Sequence, residues 1–159
     1  MGMRGLEERD LPALADFIIE VYNDYPSALW FGKRPSDEEI GRVFSNKMRG
    51  IGMGMLIDIV AEEGGSIVGE CEVARIAHGH GVVGILTRRN YRGKGLGAKM
   101  LETAIGMASE IGMRRFSAEV VESNKGALKF FVGRGFRPTG YRYLDRGGWG
   151  PERYVTMEM

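Results

Sequence analysis

Arg88-Arg89-Asn90-Tyr91-Arg92-Gly93-Lys94-Gly95-Leu96-Gly97 stands between a strand-like apolar run and a helical pattern. A strand, a glycine turn and a helix N-terminus in that order make an anion site. Glycines at 93, 95 and 97 remove the side chains that would hold backbone N–H groups away from a diphosphate, and the unpaired N–H groups of a helix start point at it. Arg88, Arg89, Arg92, Lys94 and Lys99 add five cations within twelve residues of a chain whose net charge is only +1. The positive field is therefore local and suits a ligand with several phosphates.

The chain that carries this loop has 159 residues and 43% hydrophobic content, enough for one compact domain spanning 1–159 with its own core. The single cysteine, Cys71, leaves no internal disulfide and no cysteine-based zinc site. The first residues lack the apolar core of a signal peptide, so a cytoplasmic setting is expected. No apolar run approaches the roughly 20 residues that cross a bilayer, so no membrane partner is expected. With 22 basic against 21 acidic residues there is no general attraction to nucleic acid either.

The hydrophobic period switches in an orderly way. Leu11, Leu14, Ala15, Ile18 and Val21 fall at helical spacing behind a short strand, with Asp10 as N-cap and Pro12 in the first turn. Ser36-Asp37-Glu38-Glu39 resembles a capping box opening a second helix to about residue 48. Residues 55–61 and 67–76 read as strands joined through Glu62-Glu63-Gly64-Gly65, and 82–87 as a fourth strand. Leu96, Met100, Leu101, Ala104, Ala108 and Ile111 form a helical stripe that stops near Gly112. Residues 116–121 are a fifth strand; a helix from Asn124 ends at Gly135; final strands lie near 141–144 and 154–157. This order implies an α/β (α+β) domain, a mixed sheet with helices on both faces.

These residues resemble the GNAT N-acetyltransferase superfamily, which binds acetyl-coenzyme A. Arg92-Gly93-Lys94-Gly95-Leu96-Gly97, preceded by Tyr91, fits its pyrophosphate loop, and Glu119-Val120-Val121-Glu122-Ser123-Asn124 with Ala127, Phe130-Phe131 and Gly135-Phe136 fits its second block. Motif content covers residues 82–136, and the element order agrees throughout. The resemblance implies a mostly antiparallel sheet of about seven strands, with acetyl-coenzyme A as acetyl donor. Its pyrophosphate would lie on the loop amides, its pantetheine arm would pair with main chain at Ile85, Leu86 and Thr87, and Asn124, Ala127, Phe130 and Phe131 would complete the cofactor site. It further implies an enzyme that transfers acetyl directly to a primary amine in a ternary complex. The acceptor is a small amine or polyamine, or a protein N-terminus. The alternative is an inactive coenzyme A-binding sensor.

Direct transfer needs a neutral amine and hence a general base. In amino-terminal protein acetyltransferases of the superfamily a glutamate stands five residues before the conserved Asn, which here is Glu119. In an apolar strand its burial would raise its pKa to a useful range; a solvent-facing or arginine-paired carboxylate is the plain alternative. Glu70 and Glu72, alternating on one strand face, are candidates to bind a cationic acceptor or act as base. Phe131 departs from the family pattern, since a thiolate-protonating tyrosine often stands there; Tyr141, Tyr143 or Tyr154 are possible substitutes. Tyr25, Trp30, Phe31 and Trp149 frame the expected acceptor site. Exposed C-terminal strands suggest a homodimer.

Other features read as structural. Gly79-His80-Gly81-Val82-Val83-Gly84 matches a dinucleotide fingerprint, but a strand follows it rather than a helix. His78 and His80 read as exposed hairpin residues, and no metal site is expected. Cys71 reads as a small buried hydrophobe and the ten methionines as core filler.

Overall fold

Helical and strand periods alternate along the chain, and in the computed structural model each gives the element that its spacing predicts. The structure describes residues 1–26, 33–145 and 150–159. In chain order the elements are β1 (Gly2–Gly5), α1 (Leu11–Asp24), α2 (Asp37–Gly52), β2 (Leu56–Glu63), β3 (Ser66–Ala77), β4 (His80–Thr87), α3 (Leu96–Glu110), β5 (Arg115–Val121), α4 (Lys125–Gly133), β6 (Arg137–Leu144) and β7 (Glu152–Glu158).

The strands form one seven-stranded sheet in the order β1-β2-β3-β4-β5-β7-β6. Every neighbouring pair is antiparallel except β4 and β5. The last strand inserts between β5 and β6, which makes β6 the outer edge. Alternation along the strands splits the core in two. Ile59, Cys71, Val73, Phe116, Ala118 and Val120 face Met100, Leu101, Ala104 and Phe131 of α3 and α4. Val60 and Ile67 face Leu14, Phe17, Ile18, Ile40 and Phe44 of α1 and α2.

The capping box of α2 forms as expected: Ser36 Oγ accepts from the Glu39 N–H at 3.1 Å, and Glu39 Oε1 accepts from the Ser36 N–H at 3.2 Å. Asp10 holds the N-cap position of α1, as expected, but its side chain makes no capping hydrogen bond to that helix. Its backbone is helical, and its carboxylate accepts from the Glu7 N–H at 2.8 Å and from both Arg4 amino groups at 2.8 Å. It thus closes a 3-10 turn and ties it to β1. The Arg4 hydrogen bonds, opposed by burial, hold the Asp10 carboxyl below its usual range. That stabilisation is present above about pH 4 and is lost as pH falls through the lowered value.

His80 also departs from expectation. It is the first residue of β4, not a turn residue, and its Nε2 lies 2.8 Å from Ser117 Oγ. Gly81 beside it serves packing: a Cβ there would meet Val73 at 2.5 Å and Met113 at 2.6 Å. Met100, Met113 and Met157 are core residues, but Met53, Met55, Met107 and others are exposed, so methionine is filler only in part. Cys71 is fully buried, and burial pushes its thiol well above the usual range, leaving no reactive thiolate. Among the described residues no helix is long and apolar enough to cross a membrane.

Candidate active site

The glycine loop of 92–97 runs directly into α3. Gly93 and Gly95 have φ of +73° and +84°, a region that L side chains rarely adopt, and an added Cβ at either would touch nothing within 4 Å. Backbone conformation, not crowding, therefore selects glycine there. Gly97 is different, because its Cβ would lie 3.4 Å from Phe130 and 3.6 Å from Ile85. The structure thus brings together three residues expected at one site. The first-turn N–H groups of α3 have no intrahelical acceptor and carry the positive end of the helix dipole, so the loop has the donors a diphosphate requires.

A valine at Gly95 cannot take φ of +84° without strain, so the amides it positions must turn away. Gly95→Val is expected to weaken acetyl-coenzyme A binding about 100-fold, roughly 3 kcal/mol, with the fold retained. Calorimetry on the folded variant checks this, and undiminished affinity would contradict the placement.

The cations around the loop are less available than their sequence density suggests. Arg88 pairs with Glu20 and donates to the Ile67 carbonyl at 2.7 Å. Arg89 and Arg92 reach Asp24 of α1 at 3.2 and 3.3 Å, and Arg92 also donates to the Thr87 carbonyl. Among the described residues Lys94 and Lys99 are in no ion pair, so they and the amides carry the accessible positive field.

Beside the loop the sheet opens. β4 and β5 pair only through His80↔Arg115, Gly81↔Phe116 and Val82↔Ser117. Residues 83–87 and 118–121 then continue without pairing one another, leaving main-chain groups at Ile85, Leu86 and Thr87 along a cleft. Asn124 caps α4 at its far side, its side-chain oxygen accepting from the Ala127 N–H at 3.1 Å. Phe131 is only 4% exposed and packs edge-on against Phe130 and Phe136 at centroid distances of 5.3 and 5.0 Å. Phe131 thus supports Phe130 from the core.

Glu119 lies on the face of the sheet covered by α1 and α2, two residues beyond Ser117, the last β5 residue paired with β4. Its side chain is 24% exposed, and its Oε1 accepts from Arg142 Nη2 at 2.5 Å. The environment is a half-exposed ion pair rather than an apolar burial. Tyr141 and Tyr143 are more than 60% exposed on β6, packed ring edge to ring, with the Arg153 guanidinium 4.5 Å from the Tyr141 centroid. They are surface packing residues. Tyr154 is buried. Tyr25 is half-buried at the end of α1, whereas Trp30, Phe31 and Trp149 lie outside the described residues.

Glu70 and Glu72 share that same face with two residues that sequence reading missed. Lys47 of α2 and Asp58 of β2 join them: Lys47 Nζ donates to Asp58 Oδ2 at 2.8 Å, Glu70 Oε1 at 2.7 Å and Glu72 Oε2 at 2.6 Å. The one sequence signal was a lone Asp58 inside an apolar strand. The three carboxylates each offer an oxygen within 4.8 Å of the others, a spacing that would suit a metal, but the Lys47 ammonium is bonded to all three.

A glycine turn that presents helix-start amides, next to two parallel strands that part to expose main chain, defines a coenzyme A-dependent acyltransferase. The model of the acetyltransferase (GNAT) family matches residues 15–136, and the chain belongs to this family. It is an N-acetyltransferase with acetyl-coenzyme A as donor. A Bacillus subtilis (strain 168) protein, named as a candidate ribosomal protein bS18-alanine N-acetyltransferase, is 30% identical over 102 residues, 62% of this chain and 68% of that protein. The ribosomal-protein-alanine N-acetyltransferase of Brucella melitensis superposes with a TM-score of 0.80 at 22% identity, covering 100% of this chain and 99% of that one. A candidate acetyltransferase of Salmonella typhimurium, solved with acetyl-CoA, gives 0.79 at 20% identity over 100% and 92%.

Proposed function

We propose that this chain acetylates the N-terminal amine of a protein by direct transfer in a ternary complex, with Glu119 as general base. The support for this acceptor class is the 30% identical relative named for alanine N-acetylation of a ribosomal protein, together with the glutamate five residues before Asn124. The same relative supports a cytoplasmic setting.

Amides of Arg92, Gly93, Lys94, Gly95, Leu96 and Gly97 hold the diphosphate, main-chain groups of Ile85, Leu86 and Thr87 align the pantetheine, and Asn124, Ala127 and Phe130 close the far side. Acetyl-coenzyme A supplies an acyl group activated as a thioester. Glu119 takes the proton that makes the amine nucleophilic, and Arg142 orients its carboxylate. Phe131 packs in the core and has no proton to donate, so the coenzyme A thiolate displaced as the C–N bond forms leaves unprotonated; an inactive sensor is the alternative, which would bind coenzyme A and transfer nothing. The exposed run 137–143 of β6, one of the two edge strands of the sheet, supports a homodimer through that strand; light scattering at a mass near 17.6 kDa would contradict it.

The experiment that tests the acceptor compares kcat/KM for a peptide beginning with alanine against spermidine and against the same peptide already N-acetylated. The peptide with a free N-terminus is expected to be preferred. Preference for spermidine would move the acceptor to the small amines.

A further inference from the structure

Three carboxylates converge on one ammonium beneath α2, and their exposure is graded. Asp58 is 0% exposed at its side chain, Glu70 7%, Lys47 13% and Glu72 38%. Fully ionised, three negative charges against one positive would leave two in excess inside the protein. Like charges this close and this buried cannot all ionise. The proton belongs on Asp58, whose carboxyl is pushed well above its usual range by burial first and then by Glu70. Its Oδ1 is buried without a hydrogen-bond partner, so an ionised Asp58 would leave part of its charge uncompensated there. Lys47, Glu70 and Glu72 then share a net charge of one negative unit, and Glu72 is the member of the cluster at the surface.

Glu72 stands directly opposite Gly84 of β4. A Cβ on Gly84 would lie 3.4 Å from Glu72 Cγ and 3.5 Å from its Oε1, so the Glu72 side chain lies across the glycine and its carboxylate is carried over β4. Gly84 is two residues beyond Val82, where pairing with β5 stops, and Glu119 is two beyond Ser117, its partner in that last pair. Glu72 and Glu119 therefore flank the mouth of the cleft on one face of the sheet.

Resting on the acetyltransferase reading above, we propose that Glu72 docks the ammonium of the incoming amine, with Lys47 and Glu70 fixing its position. The site selects acceptors that arrive as cations, and it holds them beside the residue that removes the proton.

Glu72→Gln keeps the shape at a half-exposed position and removes the charge. Calorimetry on the coenzyme A-loaded protein, with an alanine-initiated peptide amide as probe, is expected to show affinity about 10-fold weaker than in the unmutated protein. The N-acetylated peptide, which has no ammonium, is expected to bind both proteins equally. In steady state the acceptor KM is expected to rise about as much while kcat stays within about 3-fold. Unchanged peptide affinity, or a collapse of kcat with intact KM, would overturn the docking role. Absence of turnover in the unmutated protein would remove the acetyl-transfer reading, and the binding comparison would still decide the role of Glu72.

Discussion

Lys47→Met is expected to lower the free energy of unfolding by about 3–5 kcal/mol, because it removes one partner from a buried charge cluster and leaves the others uncompensated. Methionine fills similar volume, so packing is nearly kept and the loss is electrostatic. Burial alone would lower the Lys47 pKa, but Glu70, Glu72 and Asp58 reverse this and hold it well above the usual range. Asp58, raised in the folded state, binds a proton there that the unfolded chain has released above about pH 4, so its contribution to stability declines as pH rises above that value. Without Lys47 the decline steepens, and the variant should be hurt more at pH 8 than at pH 5. Urea unfolding at the two pH values measures this; an unchanged midpoint would mean that Lys47 does not engage the three carboxyl groups in solution.

Glu119→Gln is expected to lower turnover about 10²- to 10⁴-fold at neutral pH, the range for losing a positioned general base. Glutamine retains the shape and can still accept from Arg142, so coenzyme A affinity should be unchanged. Activity should recover partly at high pH, where the free amine is abundant, and Phe131→Tyr should not rescue it, since position 131 points into the core. Near-normal turnover of Glu119→Gln at pH 7 would transfer the role of base to another group, Glu72 first.

Local chemistry was legible in the sequence. The glycine loop is readable because positive φ at Gly93 and Gly95 is a property of single residues, and the capping box at Ser36 and Glu39 because both partners lie within one turn. Where the reading fell short, a partner outside the helical or strand pattern took the side chain. Asp10 holds the N-cap position, but Arg4 and Glu7, six and three residues back, claim its carboxylate. Glu119 looked like a buried acid in an apolar strand, but β7 lies next to β5 and brings Arg142 of β6 within reach. No periodicity announces that insertion. Glu70 and Glu72 were visible as an alternating pair, whereas Lys47 and Asp58 come from two other elements and become meaningful only when the sheet register sets Asp58 opposite Glu72 and α2 lays Lys47 over them.

The most direct test incubates the protein with acetyl-coenzyme A and an alanine-initiated peptide and follows the peptide by mass spectrometry. The account predicts one acetyl group on the peptide's N-terminal amine, formed by the unmutated protein and nearly absent with Gly95→Val. Tight binding of acetyl-coenzyme A without acetyl transfer to this peptide or to any other amine would contradict it.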